Sequence, residues 1–170
     1  MLNIEIKAPL IDRVAVERRL GEMGALLEWT HRQTDTFFRV PFGWLKLREA
    51  QGQPAELISY RRSESAAGHN VSEYDVERIG DPAKWMRLLS RVLEVDQVVK
   101  KERTLWLYEH TRIHLDRVRG LGEFVELETV VAGISSETAE AETAFVIGSL
   151  DLDPQTFLDA PYRDLLPGAD

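Results

Sequence analysis

The chain has 170 residues, with 21 Lys plus Arg against 29 Asp plus Glu, and no Cys. That length suits one domain able to bury a core without disulfide or metal staples. The missing thiols exclude disulfide frameworks, thiolate zinc sites and cysteine nucleophiles; the net charge of -8 argues against a general nucleic-acid binder, whose footprint is usually basic.

Leu2, Ile4, Ile6 and Ala8 alternate with Asn3, Glu5 and Lys7, the period-two signature of a strand that ends at Pro9. Asp12 can cap a helix running to about residue 23, where Gly24 stops it. Residues 25–31, 33–40, 44–50, 55–62 and 71–79 then read as short strands separated by Pro41-Phe42-Gly43, Gly52-Gln53-Pro54 and a polar loop over 63–70, which predicts antiparallel hairpins. Asp81-Pro82 opens a second helix reaching about residue 93. Strands follow over 98–108, 112–118 and 123–131, the last two joined across Gly120-Leu121-Gly122. Ser135 or Ser136 caps a third helix to about residue 150, and a short helix is expected near 154–158. About eight antiparallel strands with helices at three points predict a single α+β domain, residues 1–170, built on a large sheet or barrel. No stretch approaches the ~18 apolar residues of a membrane span and the charged N-terminus lacks the apolar core of a signal peptide, so the expected compartment is the cytoplasm, with no membrane partner.

The same alternation recurs in charged stripes. "LKLR" places Lys46 and Arg48 on one face, "VKKERTLWL" places Lys101 and Arg103 together, "RIHLD" aligns Arg112, His114 and Asp116, and "EFVELE" aligns Glu126 and Glu128. Such stripes are routinely the wet face of an ordinary sheet. Here, however, the middle strands supply cations while the first and last two supply Glu5, Asp116, Glu126 and Glu128. If the charged faces point inward in a closed sheet, each sign needs neutralising, since a buried charge costs several kcal/mol or more. A polyphosphate would answer the basic zone and a divalent cation the acidic one; ligands that are all oxygen point to Mg²⁺ or Mn²⁺.

"NIEIK" resembles the Glu-x-Glu-x-Lys signature of the CYTH superfamily, named for class IV adenylyl cyclases and thiamine triphosphatases. "LKLR", "KKER", "RIHLDRVRGLGEFVELE" and the ending "APYRDLL" are similar to its further motifs in the same order, over nearly the whole chain. The resemblance implies an eight-stranded antiparallel closed barrel, a triphosphate tunnel, with helices packed outside. It also implies metal ligands at Glu5, Glu126 and Glu128 with Asp116 nearby, and phosphate contacts from Lys7, Lys46, Arg48, Lys101, Arg103 and Arg112. The strand "ELISYRR" would add Arg61 or Arg62, with Arg61 the better ungapped match, and Glu5, Lys7 and Arg61 would be the catalytic set. Three departures stand out: Asn3 replaces the first acid of the signature, leaving an amide oxygen as the metal ligand there; Phe37 stands where hydrolase members often carry a tyrosine; and Arg61 is too basic to act as the lysine of a Tyr–Lys pair.

The implied activity is metal-dependent chemistry on ATP or tripolyphosphate. It is cyclase-like, giving cyclic AMP and pyrophosphate, with hydrolysis of an inorganic or organic triphosphate as the alternative and a non-catalytic triphosphate sensor as the second. Monomer and homodimer both remain open. Gly120 and Gly122 form a turn rather than a nucleotide loop, Trp44, Trp85 and Trp106 read as packing residues, and Tyr162 as a lid or an anchor. Like-charge repulsion among Lys46, Arg48 and Arg103 is expected to strain the empty tunnel, so that removing one cation would weaken binding more than folding.

Overall fold

A computed structural model of the chain describes residues 2–64 and 70–167, except the side chains of residues 2, 62–64 and 70–72. In chain order the elements are β1 (Leu2–Pro9), α1 (Arg13–Glu22), β2 (Leu26–Phe38), β3 (Trp44–Ala50), β4 (Ala55–Glu64), β5 (Asn70–Ile79) and α2 (Pro82–Leu89). They continue with β6 (Val95–Tyr108), β7 (Thr111–Val118), β8 (Gly122–Val130), α3 (Ser136–Leu150) and α4 (Tyr162–Leu165), with a 3-10 turn at Pro154–Thr156. Local chemistry sets the helix ends as expected: the Asp12 carboxylate accepts from Ala15 N at 2.9 Å, Asp81 from Lys84 N at 2.9 Å and Ser135 from Thr138 N at 3.1 Å.

The eight strands are antiparallel and curl in the order β1-β5-β4-β3-β2-β6-β7-β8. The long β1–β8 pairing runs from Asn3 against Val130 to Pro9 against Phe124. The ring is completed only by a short β1–β5 seam, Leu2 to Glu5 against Asn70 to Glu73. A fully closed barrel is therefore slightly too strong a description, and the sheet is better seen as a curled half-barrel drawn together at one end.

Residues 25–31 and 33–40, read as two strands, belong to one strand of 13 residues. A register shift between Leu27 and Trp29 interrupts the alternation without ending the pairing to β6, as a bulge does. At the β2–β3 turn Gly43 has φ 67°, and a Cβ there would lie 2.8 Å from the Tyr60 carbonyl oxygen, so the turn that aims β3 requires glycine.

Period-two patterning puts the apolar face of this sheet on the outside. Ile6, Ile113, Leu115, Val125 and Leu127 pack against Val16 and Leu20 of α1 and against Val146 and Leu150 of α3. Phe38, Leu47, Ala55 and Ile79 form a second core under α2, whose Trp85, Met86 and Leu89 cover it. The helices clad the barrel, and the opposite face of each strand is left to line the interior. Leu127 has no exposed surface, so Leu127→Ala should cost about 2–5 kcal/mol in urea denaturation; a loss near zero would mean that the cladding is not the core.

Candidate active site in the tunnel

The inward faces enclose a cavity of about 340 Å³. Lys7, Lys46, Arg48, Lys101, Arg103 and Arg112 all line it, and so do Asn3, Glu5, Glu126 and Glu128. Two expected residues do not. Arg61 lies on the outer, exposed face of β4, because the inward parity of that strand is Glu56, Ile58 and Tyr60; the Arg62 side chain lies outside the described residues. Asp116 is fully buried and grips Lys101 and Arg103 from outside the cavity lining, sharing Arg103 with its acidic neighbour Glu126.

The cations are met by buried carboxylates. Asp35 of β2, which the sequence reading passed over, is 3% exposed and accepts from Lys46 Nζ at 3.1 Å, Arg48 Nε at 2.9 Å and Arg48 Nη2 at 3.2 Å. Gln33 Nε2 donates to the same carboxylate at 3.0 Å. Across the tunnel Asp116 accepts from Lys101 Nζ at 3.1 Å and from Arg103 Nε and Nη2 at 2.7 and 2.6 Å. Arg103 also bonds Glu126, whose other oxygen lies 3.5 Å from Lys7 Nζ. The expected segregation by sign therefore gives way to interleaving: each buried cluster carries its own counter-charge, which offsets part of the anticipated repulsion in the empty tunnel, although Arg48 still acts on Lys46 and Arg103 on Lys101.

The titration behaviour follows. Burial alone would raise Asp35, but the Arg48 and Lys46 charges outweigh it and hold the carboxyl well below its ordinary value. Burial would likewise raise Glu126, and Lys7, Arg103 and Lys101 reverse the direction. Arg103 is pushed up well above the usual guanidinium value because Asp116 and Glu126 outweigh its desolvation. Lys46 goes the other way: burial, then the neighbouring Arg48 charge, lower it to about 8.

A third group surrounds Glu128. Arg112 Nη2 lies 3.1 Å from its carboxylate and donates to the Tyr74 hydroxyl at 3.1 Å, which also receives Asn3 Nδ2 at 3.4 Å. His114 Nε2 is 3.4 Å from Glu128, yet neither ring nitrogen completes a hydrogen bond. Burial, then the Arg103 charge, lower the imidazole, with the Glu128 carboxylate opposing them. At one end of the cavity Tyr162 of α4 is 7% exposed, with Lys7 Nζ and Lys101 Nζ over its ring at 4.3 and 5.0 Å.

Glu5 and Glu128 are register partners on adjacent strands, both tunnel-facing, with Asn3 two residues along β1. Among the described residues no cluster of three acidic or imidazole groups is gathered as a complete metal cage. Two carboxylates and an amide oxygen nevertheless fit a hard cation such as Mg²⁺, which ordinarily completes its shell with water and substrate phosphate. Glu126 is committed to Arg103 and Lys7 as it stands.

The family model for the CYTH domain matches residues 1–165. The chain belongs to the CYTH family. No curated protein matches the chain, but solved structures share the fold of this CYTH domain. The PH1012 protein of Pyrococcus horikoshii OT3 superposes with TM-score 0.86 at 20% identity, over 97% of this chain and 99% of that one. A candidate adenylate cyclase from Vibrio parahaemolyticus gives 0.78 at 16% identity, over 97% of both chains. HpAC1 of Hippeastrum, a candidate adenylyl cyclase described as having a dominant triphosphatase activity, gives 0.63 at 18% identity, over 94% of this chain and 92% of that one.

Asp35, Tyr74 and Glu56 went unnoticed in the sequence because an inward carboxylate is recognisable only once pairing shows which strand faces it: Asp35 meets Arg48 solely through the β2–β3 register. The pairing has a mechanical corollary. Arg103→Ala should destabilise the empty CYTH domain by about 3 kcal/mol, because it takes the guanidinium from two buried carboxylates and leaves each with a single lysine. Arg117→Ala, on the exposed outer face of β7, should cost about 1 kcal/mol or less. Urea denaturation of both variants checks the contrast, and equal losses would show the buried pairing to be energetically idle.

Proposed function

We propose that this CYTH protein is a divalent-cation-dependent phosphoryl-transfer enzyme that binds a triphosphate along its tunnel. The observation carrying this reading is the inward convergence of Lys46, Arg48, Lys101 and Arg103 on one enclosed cavity. Asp35, itself on the cavity wall, and Asp116, outside the lining, hold these cations. A carboxylate on each guanidinium fixes its planar fork, so the remaining N–H groups are aimed before the ligand arrives. Phosphoryl transfer needs positioning and charge neutralisation more than covalent help from the protein, and this geometry provides both.

Glu5 and Glu128, with the Asn3 amide oxygen, are the residues that would hold the cation. When bound, a Mg²⁺ or Mn²⁺ ion would supply neutralisation of phosphate oxygens and polarisation of the P–O bond. Lys7, Lys46, Arg48, Lys101, Arg103 and Arg112 would bind the phosphate oxygens, and Tyr162, kept protonated by burial and the nearby Asp116 charge, would hold water away from that end.

Two reactions use the same cradle. In cyclisation, the 3′-hydroxyl of ATP attacks the α-phosphorus, forming the 3′,5′ diester as pyrophosphate leaves with the electrons of the broken P–O bond. In hydrolysis, water attacks the terminal phosphorus and orthophosphate separates. Hydrolysis draws support from the activity described for HpAC1 and cyclisation from the candidate cyclase of Vibrio parahaemolyticus. Phosphorus NMR after incubation with ATP, then tripolyphosphate, in Mg²⁺ and in Mn²⁺ separates the outcomes. Pyrophosphate with cyclic AMP means cyclisation, orthophosphate means hydrolysis, and binding without turnover would overturn the enzymatic reading in favour of a sensor.

Two further results are expected. Because Lys46 titrates near 8 and only its protonated form attracts phosphate, tripolyphosphate affinity should fall as pH rises through that value. Lys46→Arg should remove this step, and an unchanged profile would exclude Lys46 as its source. Glu5→Gln and Glu128→Gln should each weaken Mn²⁺ binding about tenfold or more in calorimetry with tripolyphosphate present; undiminished affinity would remove them from the metal site.

A further inference from the structure

The inward polar groups of the tunnel are for the most part bonded to one another. His114 is not among them. Its side chain lines the cavity and is only 5% exposed, yet both ring nitrogens are buried and neither has a hydrogen-bond partner among the described residues. Burying a donor and a lone pair together without a partner for either is unfavourable, so an arrangement of this kind calls for a ligand.

Strand register explains the isolation. On β6 the partner of His114 is Leu105, which has no polar side-chain atom, and on β8 it is Glu126, already held by Arg103 and Lys7. The Glu128 carboxylate stands 3.4 Å from Nε2 without the alignment of a hydrogen bond. Because β8 lies between β1 and β7, that same carboxylate has Glu5 as its partner on one side and the strand of His114 on the other.

The spacing suits two ligands of one ion better than a donor and its acceptor. Two atoms each about 2.1 Å from a divalent cation stand roughly 3.0 Å apart at a right angle and roughly 3.4 Å apart at a tetrahedral one. We propose that His114 is a metal ligand whose Nε2 joins the Glu128 carboxylate on the cation, and that this nitrogen makes the site prefer a transition-series divalent ion such as Mn²⁺ over Mg²⁺. The inference rests on the cation-dependent triphosphate reading and adds to it a donor other than oxygen, and with it the class of ion. Mg²⁺ favours oxygen and keeps water where a nitrogen is offered, whereas imidazole binds more tightly along the first transition series. The imidazole and the carboxylate form an edge and not a cage, in keeping with the lack of a gathered three-residue cluster among the described residues. Water and phosphate oxygens are left to complete the shell.

The test uses the bis(methylene) analogue of tripolyphosphate, whose P–C–P bridges resist hydrolysis. With the analogue present, Mn²⁺ bound to the wild type and to His114→Ala is studied by pulsed EPR, and Mn²⁺ and Mg²⁺ are each titrated calorimetrically into both proteins. A directly bound imidazole nitrogen modulates the Mn²⁺ electron spin echo, so the wild type should show nitrogen coupling and His114→Ala should lose it. Mn²⁺ affinity should fall about tenfold in His114→Ala while Mg²⁺ affinity stays within about twofold. The wild-type spectrum is decisive by itself if His114→Ala does not fold. Bound Mn²⁺ without nitrogen coupling in the wild type, coupling that persists in His114→Ala, or an equal loss of the two ions overturns the ligand while leaving the triphosphate reading intact. Wild-type protein that binds neither the analogue nor Mn²⁺ is the failure of that reading itself, and takes the ligand with it.

Discussion

The pairing of each buried lysine–arginine couple with a carboxylate of its own is the constraint on which this protein depends. A ring of strands that turns its polar faces inward removes a set of lysines and arginines from water, and unpaired charges in that position would each cost several kcal/mol. Asp35 and Asp116 meet the requirement at two places on the wall, each gripping one lysine and one arginine. The same contacts that let the tunnel exist without a ligand also orient the groups that would receive one. Stability and preorganisation are thus one arrangement seen from its two sides, and the lowered Lys46 together with the strongly raised Arg103 are its electrostatic record.

Much of the architecture was legible because alternation is a local signal. The strand parities of β1, β3, β6, β7 and β8 follow directly from Ile4 and Ile6 against Glu5 and Lys7, and from the equivalent runs in "LKLR", "RIHLD" and "EFVELE". The caps at Asp12, Asp81 and Ser135 were equally readable, since a short polar side chain ahead of an apolar run has a definite structural use. What escaped was whatever depends on register or on irregularity. Arg32, between the two runs read as separate strands, is an ordinary member of the β2–β6 pairing, and the parity of β4 near Arg61 could not be anchored from either end of "ELISYRR". Asp35, in "QTDTFFRV", looks like an isolated acid in an apolar strand until β3 is laid beside it. The apparent segregation of charge along the sequence dissolves for the same reason, because antiparallel neighbours bring distant acids to the bases.

Membership of the CYTH family places the chain among the triphosphate-tunnel enzymes, while the solved structures described above, at identities of 16–20%, show the fold alone and leave the reaction to this chain's own residues. Among those residues the departures are the informative part. Asn3 trades a formal charge for an amide within hydrogen-bond reach of Tyr74, and Tyr74 in turn receives Arg112 from across the interior. A phenol thereby stands between the proposed metal ligand Asn3 and the proposed phosphate contact Arg112.

The short β1–β5 seam has a consequence of its own. Glu5 is at once a terminal member of that seam and one half of the facing carboxylate pair, so whatever draws on its side chain also draws on the last few backbone bonds that complete the ring. A cation held as proposed by Glu5 and Glu128 would thus bear on hoop closure through a single residue. Among the described residues that seam is the shortest in the ring, so the stave carrying the signature "NIEIK" is the one along which the cask would first part.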